Sequence, residues 1–222
     1  MSTFVLVPGA GGAVWYWSRV IPLLQVAGHQ ALAVDLPGDD ENAGLTEYVR
    51  LVAAAIGDHD EVILVAQSLG GFVSPMVCNQ APVCELVFVN AMIPAPGETA
   101  GAWWDNTGSN QAREVAARAA GYGADFDADT YFLHDVPVEL VAEGESHQRE
   151  QANAVFESAC DFAEWPAIPI RVLVGAGDRF FPADFQRRVT LDRLGLEPDL
   201  IPGGHLLALS QPDAVADYLL RR

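Results

Sequence analysis

Short apolar runs along the chain alternate with longer segments in which apolar residues recur at helical spacing. The short runs are rich in β-branched residues and predict strands. These strands are expected at residues 4–7, 31–35, 61–66, 86–90 and 170–174 and around Leu200. Because helices are expected between most of them, the pattern predicts an α/β fold with a mostly parallel sheet of about six strands and helices on both faces.

The longer periodic segments predict helices at residues 15–26, 45–56 and 183–194 and from Leu206 to Arg222. Residues 91–166 break the alternation, because helical patterns at 112–120 and 148–160 are separated by clusters of Gly, Pro and Asp without a convincing strand. We therefore expect a helical cap at 91–166, inserted into a core made of residues 1–90 and 167–222.

The composition removes several classes of chemistry. The 222 residues include 12 basic side chains, and all of them are arginine, so the chain contains no lysine. Walker-type phosphate loops, PLP enzymes and Schiff-base aldolases each need a lysine and are excluded. A formal net charge of −18 would repel a polyanion over most of the surface, so nucleic acid is not expected as a partner.

The remaining composition favours a globular protein inside the cell. Hydrophobic residues make up 50% of the chain, enough for a full core. Cys78, Cys84 and Cys160 are odd in number and widely spaced in apolar surroundings, which fits reduced core thiols better than disulfides or a zinc site. Neither a leader nor an apolar run of the ~18 to 20 residues that span a bilayer is evident. We expect a cytoplasmic protein without membrane partners, with a homodimer left open as its assembly.

The strongest chemical signal is a serine between a buried strand and a helix. Ser68 lies in the sequence Ala-Gln-Ser-Leu-Gly, where small residues stand two positions before and after it, at Ala66 and Gly70. This spacing is typical of a nucleophile elbow, in which neighbouring backbone passes close to both small residues. The alternative is a serine that caps a helix or a turn.

An acid and a histidine follow in the order that a serine nucleophile needs. Asp178 comes just after the strand expected at 170–174, and His205 precedes the last helix. Because open α/β sheets carry functional groups at the carboxyl ends of their strands, we expect both side chains to lie near Ser68. A hydroxyl needs such a base, and the base needs a carboxylate that fixes its tautomer. The alternative for Asp178, taken alone, is a turn or cap residue.

Two backbone N–H groups are expected to stabilise an oxyanion. One belongs to Leu69, directly after the serine, and the other to Ala10 in the glycine-rich loop after the first strand. A nucleotide-binding loop is disfavoured there, because the residue three positions after Gly11 is Val14 instead of glycine.

With these motifs in place, the sequence resembles the α/β-hydrolase superfamily, most closely its small cofactor-free group of esterases and hydroxynitrile lyases. The resemblance covers nearly the whole chain. The matching segments are residues 4–12 with Trp15 and Trp17, Gly28-His29, residues 35–38, the Ser68 elbow, Gly177-Asp178 and residues 203–205. The resemblance implies that Ser68 is the nucleophile, His205 the base and acid, Asp178 its partner, and Ala10 and Leu69 the oxyanion donors. It implies neither a metal nor an organic cofactor.

Three positions depart from the family pattern or divide its branches. Pro8 stands where the family usually has a histidine that stabilises the loop, and Gln67 replaces a common histidine beside the nucleophile. Hydroxynitrile lyases of this group carry a lysine directly after the catalytic histidine, where this chain has Leu206. The lysine-dependent lyase reaction is therefore excluded, and Ser68 also disfavours the branches that use an aspartate nucleophile.

The cap offers aromatic residues for a substrate pocket. Trp103, Trp104, Tyr131 and Phe132 could line it, although aromatic residues in a helical insertion more often form packing between cap and sheet. The sequence thus predicts a serine hydrolase that cleaves a small uncharged carboxylic ester through an acyl-enzyme. Two alternatives stay open: acyl transfer or other carbonyl chemistry with the same residues, and a small-molecule binding protein on a hydrolase scaffold.

Overall fold

The computed structural model describes residues 1–221, and its centre is a parallel sheet. The six strands are β1 (Thr3–Val7), β2 (Gln30–Ala33), β3 (Val62–Gln67), β4 (Val83–Val89), β5 (Ile170–Gly175) and β6 (Asp199–Ile201). They lie in the order β2-β1-β3-β4-β5-β6, and each neighbouring pair is parallel. The predicted α/β class is confirmed.

Apolar side chains cover both faces of the sheet. All six residues of β3 are buried, as expected for a central strand of a parallel sheet. Leu64 and Ala66 join one apolar cluster, whereas Ile63 and Val65 join the cluster on the opposite face. This alternation follows from the two-residue repeat of a strand, and it keeps the carboxyl end of β3 in a fixed position for the residue that follows.

Helices flank the sheet and fill the connections between strands. They are α1 (Val20–Val26), α2 (Leu45–Ile56), α3 (Ser74–Cys78), α4 (Ala100–Thr107), α5 (Ser109–Ala120), α6 (Val138–Gly144), α7 (Asn153–Glu157), α8 (Ala183–Leu194), α9 (Leu207–Ser210) and α10 (Pro212–Leu220). Within residues 1–221, no helix has the length and hydropathy needed to cross a bilayer.

Two expected helices are divided in the structure. The segment at 15–26 forms a 3₁₀ turn, Val14–Trp17, followed by α1. The last helix is split at Gln211 into α9 and α10, because Pro212 has no N–H group to continue a helix and instead begins a new one. Arg222, where this helix was expected to end, lies outside the described residues.

The predicted cap falls within the long segment between β4 and β5, here named the β4–β5 connection (residues 90–169). It contains α4 to α7 and one isolated antiparallel bridge between Thr99 and Ala159. Helix was expected over 148–160, but only α7 forms there. Gln148 and Ala152 are extended, and the Ala152 N–H donates to Gly38 O at 2.7 Å. Hydrogen bonds to another loop thus replace those of a helix.

Candidate active site

Ser68 occupies a sharp turn at the carboxyl end of β3. Its φ angle is +48°, a left-handed conformation that costs a non-glycine residue about 1–3 kcal/mol. The turn depends on small neighbours, because a Cβ on Gly70 would lie 2.6 Å from Pro8 O and one on Gly71 would overlap Met92 O. The strand-to-turn geometry therefore matches that expected of a nucleophile elbow.

Asp178 follows β5, and both of its carboxylate oxygens accept hydrogen bonds. Its Oδ1 accepts from the backbone N–H groups of Phe180 at 2.8 Å and Phe181 at 2.9 Å. Its Oδ2 accepts from Gln186 Nε2 at 3.1 Å. These contacts fix the direction of the carboxylate, which points its Oδ2 at the imidazole of His205.

His205 joins the serine and the aspartate. Its Nδ1 lies 2.8 Å from Asp178 Oδ2 and its Nε2 lies 3.1 Å from Ser68 Oγ. The exposed fractions of Ser68, Asp178 and His205 are 8%, 4% and 1%. With its Nδ1–H donated to the carboxylate, the ring leaves Nε2 free to accept the serine proton. The structure thus brings the three residues into one buried hydrogen-bonded chain.

Aromatic rings surround the imidazole. Phe132 stacks on His205 with ring centroids 5.0 Å apart and planes 21° from parallel. Phe180 and Phe181 contact the ring edge-on, each at 5.2 Å. These three rings pack against the buried imidazole and favour the orientation in which it contacts Ser68.

Asn90, the residue directly after β4, links the loops that carry the acid and the base. It is fully buried, and its Nδ2 donates to Gly204 O at 2.9 Å and to His205 O at 3.1 Å. Its Oδ1 accepts from Gly175 N at 2.8 Å. From the β4–β5 connection, Asp135 accepts the Gly204 N–H at 2.6 Å. The histidine loop is therefore anchored from two sides.

Sequence reasoning missed Asn90 as a site residue and left Gln67 without a role. A signal was present for Asn90, because it ends a buried strand at the same edge of the sheet as Ser68 and Asp178. Gln67 is buried, and its Nε2 lies 3.4 Å from His205 Nε2. The Gln67 amide thus lies beside the same imidazole nitrogen, Nε2, that faces Ser68 Oγ.

The loop after β1, here named the β1 loop (residues 8–12), lies against the elbow. Its Gly12 N–H donates to Gly9 O at 3.1 Å. Because a peptide unit is planar and its C=O and N–H point in opposite directions, this bond turns the Ala10 N–H to the other side of the loop. A Cβ on Gly9 would lie 2.8 Å from Ser68 Cβ, so the loop passes directly beside the serine. Ala10 lies in this loop and Leu69 directly follows Ser68, and their role as oxyanion donors stays a prediction.

A cavity of about 430 Å³ opens over Ser68 and His205. Its walls are mostly apolar and include Phe132 from the β4–β5 connection. The other three aromatic residues expected there do not line it. Trp103 is buried against Phe181 and Phe185, Trp104 packs on Phe180, and Tyr131 is buried against Tyr122 and Phe126. They serve as packing, the alternative that the sequence had left open.

In the part of the chain that the structure describes, no group of three or more His, Cys, Asp or Glu side chains is arranged to hold a metal ion. The polar groups nearest the serine are instead hydrogen-bonded to one another and to backbone.

Comparison with protein families gives a match over most of the chain. Residues 4–218 match the model described as "Alpha/beta hydrolase family". Among curated proteins, the chain is 36% identical over 110 residues to "Probable esterase PIR7A" of Oryza sativa subsp. indica, covering 44% of this chain and 42% of that protein. It is 32% identical over 123 residues to "Methylesterase 3" of Arabidopsis thaliana, covering 50% and 47%. The chain thus aligns with less than half the length of each relative.

Solved structures match over nearly the whole length. The structure of polyneuridine aldehyde esterase gives a TM-score of 0.78 with 20% identity, covering 99% of this chain and 98% of the other. A pyrethroid hydrolase from Sphingobium faniae JZ-2 gives a TM-score of 0.76 with 20% identity, covering 98% and 95%. At such identities the likeness shows a shared fold.

Proposed function

The chain belongs to the alpha/beta hydrolase family, and from this premise we propose that it is a serine esterase that cleaves a small uncharged carboxylic ester through an acyl-enzyme. The observation that carries the proposal is the buried chain of hydrogen bonds from Asp178 through His205 to Ser68. The esterase names of the partly matching relatives support the choice of an ester as substrate.

The proposed reaction has two halves. Ser68 Oγ attacks the ester carbonyl while His205 Nε2 takes the hydroxyl proton, and Asp178 stabilises the imidazolium that forms. The backbone N–H groups of Ala10 and Leu69 donate to the oxyanion. The tetrahedral intermediate collapses and expels the alcohol, which receives the proton from His205. A water molecule activated by the same imidazole then cleaves the acyl-enzyme and releases the acid.

The cavity supports an uncharged substrate. Its walls are mostly apolar, and Arg149, the arginine among its lining residues, is already paired with Asp35. A buried substrate charge would therefore lose hydration without gaining an unpaired partner. The volume suits a compact ester.

The test compares Ser68→Ala with the parent on p-nitrophenyl butyrate, with Ser18→Ala at an exposed serine as the matched control. We expect kcat to fall at least about 1,000-fold in Ser68→Ala and to stay within about twofold in Ser18→Ala. Retention of most activity by Ser68→Ala would overturn the mechanism. Labelling of the parent by a fluorophosphonate should depend on Ser68, and a parent protein that neither labels nor turns over would favour the binding-protein alternative.

A further inference from the structure

We infer that Gln151, in the β4–β5 connection, is a positioning residue for the oxyanion hole. The inference rests on the proposed function, because it concerns the β1 loop, which supplies the Ala10 N–H donor. The Oε1 atom of Gln151 accepts the Gly11 N–H at 3.0 Å, although the two residues are 140 positions apart in the sequence. Gln151 also contributes to the lining of the cavity over Ser68.

The amide of Gln151 is oriented by its neighbours. Its Nε2 lies 3.2 Å from Gly38 O and 3.3 Å from the hydroxyl of Tyr48. A backbone N–H can only donate and a carbonyl can only accept. The side-chain oxygen of Gln151 must therefore face the Gly11 N–H, and its nitrogen must face Gly38 O. One side chain thus joins the β1 loop to the loop after β2 and to α2.

Close backbone packing supports this arrangement. A Cβ on Gly11 would lie 2.7 Å from Arg149 O, and one on Gly38 would lie 2.7 Å from the Gly11 Cα. The Ala152 N–H donates to Gly38 O at 2.7 Å. Three chain segments therefore meet where Gly11 and Gly38 leave no room for a Cβ, and the amide of Gln151, in one segment, is hydrogen-bonded to the other two.

The hydrogen bond to Gly11 bears directly on Ala10. The Gly11 N–H belongs to the peptide unit that follows Ala10, while the Gly12 N–H bond to Gly9 O holds the unit that precedes it. Both peptide planes flanking Ala10 are thereby fixed, and with them the direction of the Ala10 N–H. Donors that are already oriented need no rearrangement when the oxyanion forms, which is the condition for effective electrostatic stabilisation.

Two substitutions test this role. Gln151→Leu keeps a similar volume and removes every hydrogen bond, and Gln111→Leu on the exposed surface of α5 is the matched control. For Gln151→Leu we expect kcat to fall about 10- to 100-fold while KM changes less than about threefold. A trifluoromethyl ketone that mimics the tetrahedral intermediate should lose affinity by a similar factor. Gln111→Leu should match the parent in all three measurements.

Gln151→Glu supplies a second measurement in case the leucine variant does not fold. A protonated glutamic acid can accept from Gly11 and donate to Gly38 as the amide does, whereas a carboxylate would face Gly38 O with a repulsive oxygen. The ratio of its kcat to that of the parent should therefore rise as the pH falls. A ratio that is independent of pH and close to one would overturn the proposal.

The outcomes separate this inference from the proposed function. If Ser68→Ala is inactive while Gln151→Leu keeps the kcat and ketone affinity of the parent, the positioning role is overturned and the esterase mechanism stands. If Ser68→Ala remains active, the mechanism itself fails, and the role of Gln151 fails with it.

Discussion

At the scale of the residue, Ser68 and Asn90 show what the site demands of the backbone. Both follow a buried strand, and both have a positive φ, +48° and +44°. Asparagine tolerates this conformation better than most residues. For Ser68 the conformation brings the hydroxyl out of the strand, and for Asn90 it turns the side-chain amide toward the loops of Asp178 and His205.

Asn90→Ala should reduce both activity and stability. It removes the two donations to the histidine loop and the acceptor for Gly175 N. We expect the free energy of unfolding to fall by about 3 kcal/mol, measured by urea denaturation, and kcat to fall at least about tenfold. Asn90→Gly is the control for strain, because glycine adopts the positive φ freely. If Asn90→Gly had the kcat of the parent, the side-chain hydrogen bonds of Asn90 would be unnecessary for activity, and its contribution would be the backbone conformation alone.

The three cysteines, expected together in the core, differ in exposure. Cys160 is buried, Cys78 is partly buried and Cys84 is exposed. Burial raises the pKa of the Cys160 and Cys78 thiols to about 12. Because the thiolate is the reactive form, iodoacetamide at pH 8 should label Cys84 at least about tenfold faster than the other two in the folded protein. Peptide mapping by mass spectrometry would check this, and early labelling of Cys160 would contradict it.

At the scale of the element, an ion pair joins the β4–β5 connection to α8. Glu98 is bonded to Arg193, and the same guanidinium donates to Ile93 O at 2.7 Å. Burial alone would raise the pKa of Glu98, but hydrogen bonds from Arg193, Asn106 and the Ala95 N–H outweigh it and hold that pKa below its ordinary value. Loss of Arg193 would leave the buried Glu98 carboxylate without a compensating positive charge.

Arg193→Met should therefore destabilise the fold in a pH-dependent way. At pH 7 we expect a loss of about 3 kcal/mol in the free energy of unfolding. Since the folded pKa of Glu98 is depressed, its stabilisation is present above the ordinary pKa of 4.5 and is lost as the pH falls through the folded value. The difference in the free energy of unfolding between Arg193→Met and the parent should therefore become smaller as the pH is lowered below 4.5. Arg187→Met, which breaks an exposed pair with Glu197, should cost less than about 1 kcal/mol, and equal losses in the two variants would contradict the assignment.

The sequence could predict elements whose signals are local. Short β-branched apolar runs place all six strands, and helical periodicity places α8. The rule that the carboxyl ends of parallel strands meet at one sheet edge places Ser68, Asp178 and His205 together. The contact between Gln151 and Gly11 has no such signal, since it depends on how two distant loops pack. The same packing explains why the segment before α7 is extended although its sequence has helical periodicity, because the Ala152 N–H is hydrogen-bonded to Gly38 O and not to a preceding helical turn.

At the scale of the whole molecule, the formal charge of −18 should influence which esters reach the cavity. An ester carrying a carboxylate should show a kcat/KM about tenfold or more below that of its neutral methyl-capped analogue at low salt. The difference should narrow as the ionic strength rises, because surface charges are screened. Paired assays in 10 mM and 500 mM NaCl would check this. Faster turnover of the anionic ester would show that local contacts outweigh the net charge.

The pairing of β4 with β5 has a consequence for how freely this architecture can vary. Leu86 pairs with Ile170, so the two strands close a chain segment of roughly 80 residues. The entropy of closing a loop grows only with the logarithm of its length, and a doubling costs about 0.6 kcal/mol. Loop closure by itself thus sets little limit on the length of the segment that roofs the cavity, provided that the contacts of Asn90, Glu98 and Asp135 with the core are kept. A change in length that left the β1 loop without a partner for Gly11 would lose the support that Gln151 provides, even where the sheet still formed.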